Sequence, residues 1–263
     1  MNEVEVIRST DVLGAINRAE IDMQIATAKQ YPRDLCRVLS NIKALASMDE
    51  ETAEECFYAL KRGYGDSQTL IEGLSVRMAE IFAYSWGNLR VATRIVGNDG
   101  KTITAQGICQ DLETNVAISV NVDRRITTKT GNTFSEDMQV VTGNAASAIA
   151  FRNAIFKVIP KAVTRKVVEE IKQIALGQTN DLEKRRTAMV KWFNSQNVST
   201  EQILTYIEAK SVEGINLEML LILRATAQAI EEGTTTIAET FHQKESIPEK
   251  KKEVKSKGPI KLM

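Results

Sequence analysis

Apolar residues recur at three- and four-residue steps through most of the first 86 positions. Over residues 11–30, Leu13, Ile16, Ala19, Met23 and Ala26 predict a helix. Pro32 suits the first turn of a second helix, whose apolar face uses Leu35, Val38, Leu39, Ile42 and Leu45. Met48 to Thr52 reads as a cap with acids in the first turn of a third helix. That helix carries Ala53, Cys56, Phe57 and Leu60 and stops at Gly63 to Asp66. Residues 68–86 repeat the signal, with Leu70, Ile71, Leu74, Met78, Ile81 and Phe82 as one helical stripe.

After Gly87 the period changes to two. Residues 88–96, 102–109 and 115–127 predict strands. In the third, Val116, Ile118, Val120 and Val122 alternate with Ala117, Ser119, Asn121 and Asp123, which gives one buried face and one open face. Gly97-Asn98-Asp99-Gly100 is a hairpin turn, and Lys129 to Asn132 is a second turn. Residues 137–166 then start like a strand at Met138, Val140 and Val141 and turn at Gly143-Asn144. They continue as a helix rich in Ala145, Ala146, Ala148 and Ala150, small enough to lie close to a sheet.

Gly177 to Asn180 reads as a linker, and residues 181–241 hold three helix candidates with a capping pattern at Ser199 to Gln202. The Lys-rich stretch from Lys244 has the composition of a disordered tail. The expected fold class is α+β. A central antiparallel β-meander is packed by helices, with a helical N-terminal lead-in and a small all-helical C-terminal domain. The expected divisions are 1–176, 177–243 and 244–263.

Charge refines this picture. Lys+Arg and Asp+Glu both total 34, so the net charge names no partner. The distribution is uneven: residues 61–172 hold 15 basic and 11 acidic side chains, whereas residues 1–60 hold 6 and 11. A basic middle between acidic flanks points to a polyanionic partner, against the plainer reading of a solvated surface. Cys36, Cys56 and Cys109 are widely spaced and His242 stands alone, so neither a zinc site nor a disulfide framework is expected. The compartment reads as reducing and cytoplasmic. The acidic first ten residues do not read as a secretory signal, and no apolar run has the length of a membrane helix.

Few residues carry recognisable chemistry. Gly97 to Thr102 ends in Gly-Lys-Thr, but a phosphate-cradling loop needs four residues between its glycines and a helix after it. Here there are two residues between them, and a strand follows. No nucleophile–base set is visible, and no cofactor or metal is expected. Asp123, Glu136 and Asp137 leave a metal-dependent nuclease as an alternative.

The basic residues form a more coherent set. Arg90 and Arg94 share one strand face, and Arg124 and Arg125 end the best strand beside Lys129. Asn153, Lys157, Lys161 and Arg165 follow at four-residue steps, on one face if the helix continues past Pro160. With Arg152 these residues could line a phosphate groove. Tyr84, Trp86, Phe134 and Phe151 are candidate stacking platforms.

The stretches IEGLSVRMAEIFAYSWGNLRVATRIV, TAQGICQDLETNVAISVNVDRRIT and TGNAASAIAFRNAIFKVIPKA resemble, in layout and texture, the phage single-strand annealing proteins of the RecT, Redβ and Erf groups. The helical segment after the linker is similar to the C-terminal domain of RecT-like proteins. The resemblance implies a non-enzymatic protein of the host cytoplasm that binds single-stranded DNA without ATP. Such a protein forms oligomeric rings or filaments and anneals complementary strands in phage recombination. It further implies that Arg124, Arg125, Lys129, Arg152, Lys157 and Lys161 contact phosphates. The C-terminal domain would dock a phage exonuclease or the host single-strand-binding protein. The alternative is a non-enzymatic phage assembly or adaptor protein.

Overall fold

The alternating segment folds into three antiparallel strands, β3 (Leu89–Asn98), β4 (Thr102–Asp111) and β5 (Val116–Arg125), in the order β3-β4-β5. The hairpin turn between β3 and β4 forms where expected. Asp99 accepts the backbone N–H groups of Lys101 and Thr102 at 2.9 and 2.6 Å, and Gly100 takes a φ of 80°, a conformation open to glycine. Val96 is an extra residue in the β3 ladder, between Ile95 (opposite Ala105) and Gly97 (opposite Thr104).

This computed structural model describes residues 9–62, 69–128, 130–177 and 181–241. Before the sheet come α1 (Ser9–Gln30), α2 (Leu35–Ala46), α3 (Glu50–Glu55), a hairpin of β1 (Phe57–Arg62) and β2 (Thr69–Leu74), and α4 (Val76–Trp86). After it come α5 (Glu136–Val158) and α6 (Lys161–Leu176), then α7 (Leu182–Ser195), α8 (Thr200–Ile207), α9 (Leu217–Glu231) and α10 (Ile237–Phe241). The fold is α+β, with the antiparallel meander at its centre. The Lys-rich tail lies outside the described residues.

Two expected helical stretches are strands, and one expected strand is a helix. Phe57 and Leu60 belong to β1, and Leu70, Ile71 and Leu74 belong to β2. The stripe from Leu70 to Phe82 imitated one helix because its strand ends one residue before the α4 cap, Ser75, whose hydroxyl accepts the N–H of Met78. Met138, Val140 and Val141, expected to be strand, lie exposed in the first turns of α5. Ser135 caps that helix, and Glu136 and Asp137 favour its positive end, which outweighs the β propensity of two valines. Gly143-Asn144 is therefore helical. The helix also stops before Pro160: α5 ends at Val158, and Pro160 opens α6.

The placement of the sheet depends on small residues. On β4, Ile103, Ala105, Gly107, Cys109 and Asp111 alternate inward and are buried. Helix α5 lies across them, with Ala146 and Ala150 packed on Ala105. A Cβ at Gly107 would overlap the backbone carbonyl of Ala150. One at Gly143 would stand 3.1 Å from Cδ1 of Ile103. A larger core of Ile42, Phe57, Phe82, Ile155 and Ile171 joins α2, β1, α4, α5 and α6. A second core, with Phe193, Ile203, Ile215 and Leu223, holds α7 to α9 together.

The expected division near 177 coincides with the end of α6, where Gly177 adopts a φ of 69°. The two parts nevertheless share α9. Leu221 and Ala225 enter the first core, and Leu220, Leu223 and Ala227 enter the second. Ionic contacts reinforce the junction. Arg185 of α7 meets Glu50 and Glu54, and Arg224 of α9 meets Glu54 and Glu55, all on or beside α3.

Gly107→Ala should lower unfolding stability by at least about 2 kcal/mol, because the obstacle is helix backbone and cannot rotate away. Gly97→Ala, where the new atom meets Thr104 at an ordinary 3.6 Å, should change stability by less than about 1 kcal/mol in the same urea titration.

Candidate nucleic-acid interface

With α5 on one side of the sheet, strand alternation sends the other set of side chains outward. Register places Arg94, Gln106 and Asn121 in one row across the three strands, and Arg90, Gln110 and Ala117 in another. Ala92, Ile108, Ser119, Thr104, Asp123, Thr102 and Arg125 complete this face. Arg94 donates to Gln106 at 3.1 Å, and Gln106 donates to Asn121 at 3.3 Å. Helix α1 borders the face, where Arg90 reaches Gln24 at 3.4 Å. Among the described residues, no carboxylate lies within ion-pair distance of Arg90, Arg94 or Arg125. The face therefore offers three guanidinium groups without an ion-pair partner, a field of amides and hydroxyls, and one carboxylate, Asp123.

The remaining expected residues divide into three groups. Arg124 points to the opposite side of β5 from Arg125. Its guanidinium donates to the backbone carbonyls of Gly233 and Thr234, just past the end of α9. It satisfies carbonyls at a helix end, where a cation is also favoured by the dipole. Arg152 is 7% exposed, stacks 4.4 Å over the Tyr58 ring and lies 3.7 Å from Glu232. Both arginines are engaged inside the fold and are removed from the phosphate-contacting set. Neither strand alternation for Arg124 nor helical spacing for Arg152 could show that the C-terminal segment would cover them.

Lys157, Lys161 and Arg165 are exposed, but the break at Pro160 separates Lys157 from the other two. They lie on α5 and α6, on the helical side of the sheet, so they do not form the second wall of a groove with Arg90, Arg94 and Arg125. Lys129 lies outside the described residues. Of the expected stacking platforms, Trp86 is buried and its indole N–H donates to Asp111 at 3.2 Å, while Phe151 packs against the larger core. Tyr84 is exposed.

Chemistry of other kinds finds little support. No group of three or more His, Cys, Asp or Glu side chains among the described residues is placed to hold a metal ion. Asp123 accepts from Thr104 at 2.7 Å on the sheet face, while Glu136 and Asp137 begin α5. Burial pushes the thiols of Cys56 and Cys109 up to about 12 and about 11, so neither is a ready thiolate. No helix among the described residues is long and apolar enough to cross a membrane.

The start of β3 is fixed by a buried ion pair. Arg33 and Asp111, with side chains 6% and 4% exposed, meet at 3.0 Å. Arg33 also donates to the carbonyls of Trp86 and Gly87 at 2.8 and 3.1 Å, and lies 4.5 Å over the Trp86 ring. Asp111 accepts backbone N–H groups of Glu113 and Thr114. Burial pushes the Asp111 carboxyl up, but hydrogen bonds from Arg33, Glu113 and Trp86 and the charge of Arg33 together hold it below its ordinary value.

A depressed carboxyl favours the folded state above the unfolded pKa of about 4 and loses that contribution as pH falls through the lower folded value. Asp111→Asn should therefore destabilise the protein by about 3 kcal/mol at neutral pH. The gap from the parent should narrow as urea titrations are repeated below about pH 4. Compared with protein-family models, curated proteins and solved structures, the chain finds no significant match, so what the site can do is read from its own geometry.

Proposed function

We propose that this protein binds single-stranded DNA on the open face of its three-stranded sheet and anneals complementary strands without ATP, as an oligomer. The observation that carries this reading is the set of Arg90, Arg94 and Arg125 on this face, with Arg94 and Arg125 exposed and Arg90 half-buried, none within ion-pair distance of a carboxylate among the described residues, spread from β3 to β5 among amides, hydroxyls and Asp123. Guanidinium groups take phosphate oxygens in a bidentate fork, and neutral donors complete the contacts without selecting a sequence. An open sheet face leaves bases accessible, so a second strand can select by pairing. Annealing of this kind needs no acid, base or metal, only a surface that neutralises phosphates and holds a strand extended.

Oligomerisation is supported by exposed apolar residues at one end of the sheet. Ile95 and Val96 on β3 adjoin the start of α5, where Asn98 donates to Gln139, and Met138, Val140 and Val141 are exposed on that helix. Apolar side chains grouped in this way suit a contact with a second copy. Repeated subunits would multiply a weak three-cation contact along a strand, which offsets a net charge of zero. A role in phage recombination, beside an exonuclease or a host single-strand-binding protein, belongs to the same proposal.

Fluorescence anisotropy with a labelled oligonucleotide tests the site. Replacing Arg90, Arg94 and Arg125 together by Ala should weaken binding at least about ten-fold and reduce the slope of log affinity against log salt by about 2. Replacing Lys157, Lys161 and Arg165 should do less. Equal losses from both sets, or binding indifferent to salt, would sink the sheet-face reading.

A further inference from the structure

Two tyrosines stand unusually far into solvent. Tyr31, after the end of α1, is 65% exposed, and Tyr84, in the last turn of α4, is 79% exposed. Both line one cleft of about 550 Å³, between the end of α1, the start of α2 and the end of α4. That volume is within the range of small-molecule sites. Arg37 and Asn41, one turn apart on α2, line it from the other side. Ser85 lies at its wall, 6% exposed, with a buried hydroxyl that has no hydrogen-bond partner. A buried hydroxyl left unmatched is uncommon and asks for a partner.

The charges in the cleft limit what it can accept. Arg33 is consumed by Asp111 and the carbonyls of Trp86 and Gly87. Asp34 is committed as the α2 cap, accepting the N–H groups of Cys36 and Arg37. The Arg37 guanidinium has no carboxylate within ion-pair distance among the described residues. One cation without an ion-pair partner, two tyrosine side chains and one unsatisfied hydroxyl, that of Ser85, fit a planar heteroaromatic ring carrying one phosphate. They do not fit a polyphosphate. The walls are held in place: the Asn88 side chain donates to the Tyr31 carbonyl at 2.9 Å, and Arg33 ties the adjacent residue to the end of α4.

The lining of the cleft also reaches the start of β3: it includes Asn88, two residues before Arg90 in the chain. We infer that this cleft is a nucleotide pocket, in which Tyr31 and Tyr84 stack on one base of the bound strand, Arg37 holds its phosphate and Ser85 meets its edge. This inference rests on the sheet-face reading for its source of ligand. It adds a base-binding site to what is otherwise a phosphate-binding surface.

Two titrations on the full chain separate this inference from that reading. In the first, oligonucleotides containing 2-aminopurine report stacking by quenching. Tyr31→Ala with Tyr84→Ala should abolish most of the quenching and weaken binding about ten-fold. Tyr84→Phe should retain both, and Arg37→Ala should weaken binding. All three positions are surface side chains, and circular dichroism checks that each variant is folded. If the tyrosine and Arg37 variants bind and quench like the parent while Arg90→Ala with Arg94→Ala binds weakly, the pocket is overturned and the sheet face stands. In the second, deoxyadenosine monophosphate is titrated against tryptophan fluorescence, because Trp86 lines the cleft and Trp192 packs in the second core. A saturable change lost in Tyr84→Ala supports the pocket even if no oligonucleotide binds, and no change in the parent overturns it.

Discussion

The close approach of α5 to β4 sets the rest of the molecule. Gly107 has no side chain where the Ala150 carbonyl passes, and Ala105, Ala146 and Ala150 leave little between helix and sheet. One side of the sheet is thereby covered at close range by the helix. The other side, by the two-residue period of a strand, must then project Arg90, Arg94, Gln106, Asn121 and Arg125 into water. The open surface is a consequence of how tightly its reverse is packed.

A second constraint decides which cations are available to a ligand. The C-terminal helices are fastened to the first part of the chain through α9, whose apolar residues enter both cores. Polar groups at its end recruit Arg124 and Arg152, while acids of α3 recruit Arg185 and Arg224. Two arginines of the basic middle of the chain, Arg124 and Arg152, are thus spent within the fold. What remains uncompensated on the sheet is a smaller and more localised set, and Arg37 extends it to the cleft beside α1.

The period-two signal over residues 88–127 was legible because an antiparallel sheet with one open face imposes strict alternation. The hairpin at Gly97 to Gly100 and the cap at Ser199 were legible because each rests on local chemistry. The β1–β2 hairpin was not, since its apolar residues run in register with those of α4 and imitate one stripe. The start of α5 was misread because Val140 and Val141 carry β propensity that a good cap overrides. The site was half legible. Alternation placed Arg90 and Arg94 together and Arg124 opposite Arg125, but that the end of α9 covers Arg124 is decided by contacts more than a hundred residues away. Tyr31, Arg37 and Ser85 carry no local signature, and only the packing of α1, α2 and α4 brings them to one cleft.

The central claim is that a nucleic acid strand runs over the open face of the sheet. A benzophenone amino acid placed at Asn121, in the middle of that face, tests it directly against one at Ala162, exposed on α6. Irradiation with a labelled single-stranded oligonucleotide should give a covalent adduct from position 121 and little from position 162. An adduct from position 162 alone would contradict the account and move the interface to the helical side of the sheet.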